Sequence, residues 1–293
     1  MKPIDNPIFV HEEAVMGTVA VFNIFENFEV DDDIIDENQL HDQKLGPEIG
    51  TKLNPGLDPK STTRFHLDDK IIMEAVGKAC EVLHKCDEIF STFKEDSPMN
   101  QYRRGEITLE DAPREIAEVL EICNELKSAT DGWFDPWVML GGVDPTGMVK
   151  GWAEDKALSV LAKSGVKAAT LNIGGDIAVL GTIKPFQKWR FGIRHPLYPD
   201  SLIRIIETYE NLATSANYER PGELIDPYLK MPVDRVASVS VLGPQLAVAD
   251  AFTTAGAVAG SQHLDWIRNQ NIYSSYVLLY DGTEIIIGDV SFG

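Results

Sequence analysis

Apolar residues recur at spacings of three and four through residues 68–90, where Ile71, Ile72, Ala75, Val76, Ala79, Val82, Leu83, Cys86 and Phe90 form one stripe. That period predicts an amphipathic helix. Residues 113–129 repeat it, with Ile116, Leu120, Cys123 and Leu126 inward and Pro113 at the start, where a missing N–H costs nothing. A third helix is predicted from near Gly147 to Lys163, stopping at Gly165. A fourth runs from Pro244 to Ala259, and a short one follows at 261–269. Alternation with period two marks strands instead. It appears from Val15 to Phe25 around Met16-Gly17-Thr18, and at 168–173 and 177–181 around Gly174-Gly175-Asp176. Further strands are predicted at 188–194, 202–208 and 236–242, with a closing hairpin of 273–280 and 284–287 over Asp281-Gly282. Strands in consecutive pairs with helices between them indicate an α+β fold, not a doubly wound parallel sheet. Neither a repeat nor a strong linker divides the chain, so residues 1–293 read as a single domain.

Residues 26–66 break the pattern. They hold Asp31-Asp32-Asp33, then Asp36-Glu37, then a Gly/Pro-rich stretch to Pro59, and read as an acidic loop or insertion. The run lacks the ligand spacing and the turn glycine of an EF-hand.

Charge narrows the partners. The chain carries 26 Lys+Arg against 46 Asp+Glu, a net charge of −20. Nucleic-acid scaffolds need basic stripes, and anionic membranes recruit polybasic segments, so neither partner is expected. Any polyanionic ligand needs local help against this field, which a divalent cation would give. Cys80, Cys86 and Cys123 fit no disulfide framework. Cys80 and Cys86 lie six apart in the first helix, which assigns them to different faces, and without a CxxC pair zinc is not expected. The N-terminal residues show no signal-peptide core or lipidation cysteine, and no apolar run reaches a membrane span, so a cytoplasmic protein is expected.

Four stretches carry chemistry. Val143-Asp144-Pro145-Thr146-Gly147-Met148-Val149-Lys150 turns into a helix bearing a lysine near its positive end, suited to a phosphate, or simply a capped helix with a surface lysine. Gly174-Gly175-Asp176 allows close backbone approach to a ligand, or is only a tight hairpin; it is not the GxGxxG fingerprint. In Gly243–Gly256 the setting is apolar and small, and Asp250 and Thr254 share a helical face. A carboxylate there must be paired, cap a neighbouring backbone or bind a metal; with a hydroxyl beside it, a hard cation such as Mg²⁺ is favoured. Leu212–Arg220, followed by Glu223-Leu224-Ile225-Asp226-Pro227, is polar and turn-rich and by itself reads as a loop.

In this order, with Phe90-Ser91-Thr92-Phe93, Gly132-Trp133-Phe134-Asp135-Pro136 and Arg190–Pro196, these stretches resemble the FAD:protein FMN transferases of the ApbE family. The resemblance runs from Met16 nearly to the C-terminus, apart from the acidic segment. It implies a two-lobed, T-fold-related α+β unit with mixed or antiparallel sheets and packed helices, binding FAD between the lobes. It further implies Mg²⁺ held by the Asp250 and Thr254 side chains and the Gly147 carbonyl, with Lys150 on the dinucleotide. Met16, Phe93, Asp135, Leu224 and Ile225 match positions that line the FAD pocket.

The reaction implied is transfer of FMN from FAD to a threonine hydroxyl of an acceptor flavoprotein, with release of AMP. Asp250 and Lys150 are its candidate catalytic residues, Asp250 more as a ligand than as a base. An FAD hydrolase giving FMN and AMP, or a non-enzymatic FAD-binding protein, are the alternatives. This chain departs from the family pattern at Glu223, where a histidine is usual, at Tyr228–Met231, at Ser215-Ala216 and at Thr146-Gly147.

Overall fold

A computed structural model describes residues 6–30, 62–65, 67–139, 141–198, 200–216, 222 and 224–288. Most of the acidic segment, and Glu223 with its departure from the family histidine, lie outside the described residues.

The chain opens with β1 (Phe9–Val15) and β2 (Thr18–Ile24), paired antiparallel with Val15 opposite Thr18. Met16 and Gly17 close the turn, both at positive φ (53° and 72°), the geometry of a two-residue hairpin whose twist matches its strands. The alternation from Val15 onward is therefore the second arm of a hairpin. Strands β3 (Asn27–Val30) and β4 (Thr62–Phe65) then pair antiparallel, so the ends of the supposed 26–66 loop are a two-stranded ribbon.

The helices follow: α1 (Asp69–Phe90), α2 (Pro98–Arg103), α3 (Arg114–Ala129) and α4 (Thr146–Lys163). Helix α2 was not legible in the apolar pattern. It is a short turn capped by Ser97, whose side chain accepts the Asn100 N–H. Asp68 caps α1 in the same way through the Lys70 N–H. Cys80 and Cys86 are both buried free thiols, which their places on different faces of the helix allow. The buried arc of α1 is wide enough for both because the helix packs against β1 on one side and α4 on another.

Strands β5 (Ala169–Ile173), β6 (Asp176–Leu180), β7 (Trp189–Arg194), β8 (Leu202–Thr208) and β9 (Asn211–Ser215) come next. Two-residue strands β10 (Ile225–Asp226) and β11 (Met231–Pro232) precede β12 (Ser238–Gly243). The chain then forms α5 (Leu246–Ala259), α6 (Asp265–Arg268), β13 (Ser274–Leu278) and β14 (Glu284–Ile287).

One eight-stranded sheet organises these elements, in the order β1-β2-β5-β6-β9-β12-β13-β14, with every pairing antiparallel. The α+β expectation holds. Helix α4 packs against both α1 and α5, and all three pack on the sheet, enclosing the large apolar core that includes Phe22, Leu83, Leu171 and Phe252. A smaller cluster joins Ile193 and Ile206 of the β7–β8 ribbon to Leu212, Leu242 and Tyr276 of the sheet. Stretch 212–220 is thus misread as a loop over its first part. Its residues to Ser215 form β9 in the middle of the sheet, where Leu212 and Ala213 are buried.

The antiparallel registers bring three chain reversals to one end of the sheet. Ile173 lies opposite Ala20, so the Gly174-Gly175 turn sits beside the Met16-Gly17 turn, and Gly174 approaches Thr18. Asp176 begins β6 there, and Ser215 ends β9 beside Val239. Gly174 and Gly175 have φ of 61° and 98°, which glycine adopts without a Cβ penalty.

Candidate active site

Helices α4 and α5 cross at the distance of a missing side chain. A Cβ on Gly151 would stand 2.6 Å from the Leu246 carbonyl oxygen and 2.9 Å from the Ala247 nitrogen, so only glycine fits. Polar contacts lock the crossing. Asp155 of α4 accepts the Leu246 and Ala247 N–H groups (3.2 and 3.0 Å) and so caps α5, whose own Gln245 makes no side-chain cap. Asp250 of α5 accepts the Gly151 N–H at 3.1 Å. The capping reading of Asp250 is therefore realised, and it leaves the other carboxylate oxygen for another partner.

One turn further along α5, Thr254 faces the start of α4, its Oγ1 3.5 Å from the Gly147 carbonyl oxygen. Gly147 itself packs against the Phe134 ring. Just before this end of α4, Asp144 accepts from the Thr146 N–H and hydroxyl. The residues proposed from the sequence as a metal set, Gly147, Asp250 and Thr254, thus converge at the α4–α5 crossing, and Lys150 stands with them. Its ammonium contacts Asp176 Oδ2 at 2.6 Å, while Asp176 Oδ1 accepts the Thr214 N–H at 2.8 Å.

Asp176 is the residue that sequence reasoning left as a hairpin letter. It is fully buried and joins the glycine turn, β9 and α4. Glu154 was missed altogether. It lies one turn beyond Lys150, fully buried, and neither carboxyl oxygen has a hydrogen-bond partner among the described residues. An acid inside an otherwise apolar helical stripe was the available signal.

Electrostatics follow from this crowding. Burial pushes the Asp250 carboxyl well up, and the Asp176 charge adds to it, against the pull of Lys150 and the Gly151 N–H. Burial raises Glu154 well above the carboxylate range, with the Asp176 charge next. Lys150 goes the other way. Its burial favours the neutral amine, but the Asp176 and Asp250 charges outweigh that and hold it protonated. Glu154 is held protonated by its burial, and Asp176 and Asp250 share the one ammonium, so nothing among the described residues fully offsets the cost of ionising Asp250. A hard cation bound to oxygen atoms would do so.

The pocket-lining candidates are more scattered. Met16 sits at the hairpin tip on the same sheet end. Asp135 follows Phe134 but spends its carboxylate on the Trp137 N–H and on Lys127 at 2.7 Å. Phe93 is 84% exposed, beyond α1. Leu224 packs on the main core and Ile225 is buried in β10. Strand β10, which holds Ile225, packs on α5, the helix of Asp250 and Thr254.

Comparison with known proteins falls on this same region. Residues 141–276 match the ApbE family. The matched span contains Gly147, Lys150, Asp176, Asp250 and Thr254, and the family resemblance read from the motifs is borne out. An FAD:protein FMN transferase of Rhodobacter capsulatus is 38% identical over 128 residues, 41% of this chain and 24% of that protein. One from Vibrio cholerae is 31% identical over 131 residues, 41% of this chain and 39% of that protein. The chain thus spans well under half the length of these curated relatives. The ApbE protein from Thermotoga maritima superposes with a TM-score of 0.70 over 95% of this chain and 96% of that chain, at 18% identity, so the two share the fold. Among the described residues no helix is long and apolar enough to cross a membrane.

Proposed function

We propose that this chain is an Mg²⁺-dependent FAD:protein FMN transferase acting on a threonine hydroxyl of an acceptor flavoprotein, with release of AMP. The observation that carries the reading is the convergence of the Asp250 carboxylate, the Thr254 hydroxyl and the Gly147 carbonyl beside the Lys150–Asp176 pair. These donors are all hard oxygens, which suits Mg²⁺. When bound, Mg²⁺ would neutralise the pyrophosphate and polarise the phosphoryl oxygen.

The chain's own residues do the rest. Asp176 fixes the Lys150 ammonium at the sheet end, where it meets a dinucleotide phosphate as preorganised positive charge. The two hairpin turns, Met16-Gly17 and Gly174-Gly175, offer backbone that a flat ligand can approach. The bond between threonine oxygen and the FMN-side phosphorus forms as the bond to the AMP oxygen breaks, and the hydroxyl proton passes to solvent. Asp250 would serve as a ligand, since a carboxylate on a metal is a weak base.

Incubation with FAD, Mg²⁺ and a threonine-bearing acceptor flavoprotein tests this, with intact mass as the readout. The acceptor should gain the mass of an FMN moiety, and both chelation with EDTA and Asp250→Ala should abolish the gain while circular dichroism stays unchanged. Free FMN without acceptor modification would replace the reading by FAD hydrolysis, and tight FAD binding without turnover by a binding function.

A further inference from the structure

A second cluster of donor atoms lies far along the chain from the matched region. Strand β1 sends alternate side chains toward α1. At two successive positions on that face stand not apolar residues but His11 and Glu13. Opposite them α1 presents the buried Cys80 and, one turn on, His84. His11 Nε2 is 3.2 Å from Glu13 Oε2, and His84 Nε2 is 2.7 Å from Glu13 Oε1. The His11, Glu13 and Cys80 donor atoms all lie within 4.8 Å of one another.

We propose that His11, Glu13 and Cys80 bind a divalent transition-metal ion of the zinc type, with His84 orienting the Glu13 carboxylate. Imidazole, thiolate and carboxylate are the donors that Zn²⁺ takes, and Mg²⁺ takes no sulfur. Donors around tetrahedral zinc stand roughly 3.3–3.8 Å apart, given the usual bond lengths. The His11–Glu13 separation of 3.2 Å is already close to this range, and the Cys80 sulfur, within 4.8 Å of both, has to move in by up to about 1.5 Å. The absence of a CxxC pair made zinc unexpected from the sequence. The ligands instead come two from a strand at period two and one from a facing helix.

Accessibility fits. The Cys80 side is closed by the core, while the His11 and Glu13 side chains are 37% and 29% exposed, so an ion can enter and water can fill the fourth position. A carboxylate only accepts, so both Nε2 atoms now donate to Glu13. The ion would take the place of the His11 Nε2 proton, leaving the ring protonated at Nδ1, and of the Cys80 thiol proton, which passes to solvent. His84 on the other Glu13 oxygen is the kind of outer partner that fixes a ligand's orientation. Such an ion ties β1, which among the described residues has a strand neighbour on one side only, to α1 and so steadies the hairpin that carries Met16.

Cobalt titration of the full chain tests this, because a thiolate–Co²⁺ bond gives a charge-transfer band in the near ultraviolet. One equivalent of Co²⁺ should produce the band, and Zn²⁺ should displace it. Asp250→Ala, Cys86→Ser and Cys123→Ser should keep it, and Cys80→Ser should lose it. Glu13→Gln should weaken binding by at least about tenfold, and His84→Ala by about tenfold. These two variants leave the buried Cys80 in place and so test the site even if Cys80→Ser folds poorly. No band at one equivalent, or a band that survives Cys80→Ser, overturns the proposal. FMN transfer in Mg²⁺ is read separately, so either idea can fail alone.

Discussion

Lys150 and Asp176 form an ion pair at 2.6 Å between the start of α4 and the start of β6, residues 26 positions apart whose meeting neither local pattern announces. The pair fixes the cation of the candidate site.

Asp176→Asn should therefore act on both stability and function. The amide keeps an oxygen for the Thr214 N–H but leaves Lys150 without its counter-charge. Breaking a buried pair in this way costs about 3 kcal/mol, read as a shift in the urea midpoint. FMN transfer should fall by about two orders of magnitude, as when a preorganised charge-stabilising group is lost. A variant as stable and active as the parent would remove Asp176 from the site.

Gly151→Ala should separate α4 from α5. The new Cβ meets backbone atoms of Leu246 and Ala247, which cannot turn aside as a side chain could. Overpacking of this kind costs about 1–3 kcal/mol. Because Asp250 hangs from the Gly151 N–H, Mg²⁺ dependence should weaken with it. Thermal unfolding and a Mg²⁺ titration of transfer would check the two effects together; unchanged values would mean that the crossing yields more easily than its backbone contacts imply.

Glu154 sets up a pH-dependent cost. Its folded-state pKa lies well above the usual carboxylate value, so above about pH 4.5 the unfolded chain gives up a proton that the folded chain keeps. Stability falls as pH rises through that window. Glu154→Met, similar in shape and without unpaired oxygens, should stabilise by about 1–2 kcal/mol at pH 7 and by clearly less at pH 4. Urea unfolding at the two pH values would decide; equal gains would mean that Glu154 finds a partner.

Asp226 has the opposite sign. Burial alone would raise its carboxyl, but the Leu229 and Tyr228 N–H groups and Arg235 outweigh burial and hold it below the usual value. Its stabilisation is thus present above about pH 3.8 and lost as pH falls through the lower folded-state value. Asp226→Asn should cost about 2 kcal/mol at pH 7, and the difference from the parent should shrink on acidification below pH 4. A pH-independent difference would assign the loss to packing rather than charge.

The apolar pattern was enough to find α1, α3, α4, α5, β5, β6, β12 and the closing hairpin: α1 and α3 bury one face, so period follows from burial, while α5 and β12 are buried almost throughout and read as apolar runs. The i, i+4 spacing of Asp250 and Thr254 was equally legible, since helix geometry alone places them together. Other elements resisted. Strand β9 reads as loop because its polar letters are satisfied sideways. Thr214 bonds to Asp176 and Ser240, and Asn211 serves Val179 and Gly243. The role of Asp176 depends on a pairing register, and that of Glu154 on the depth at which α4 lies. The His11–Glu13–Cys80 cluster depends on which helix covers β1. Local sequence sets what each segment buries. Which polar groups then meet is decided by long-range strand order and by a helix crossing that only Gly151 permits.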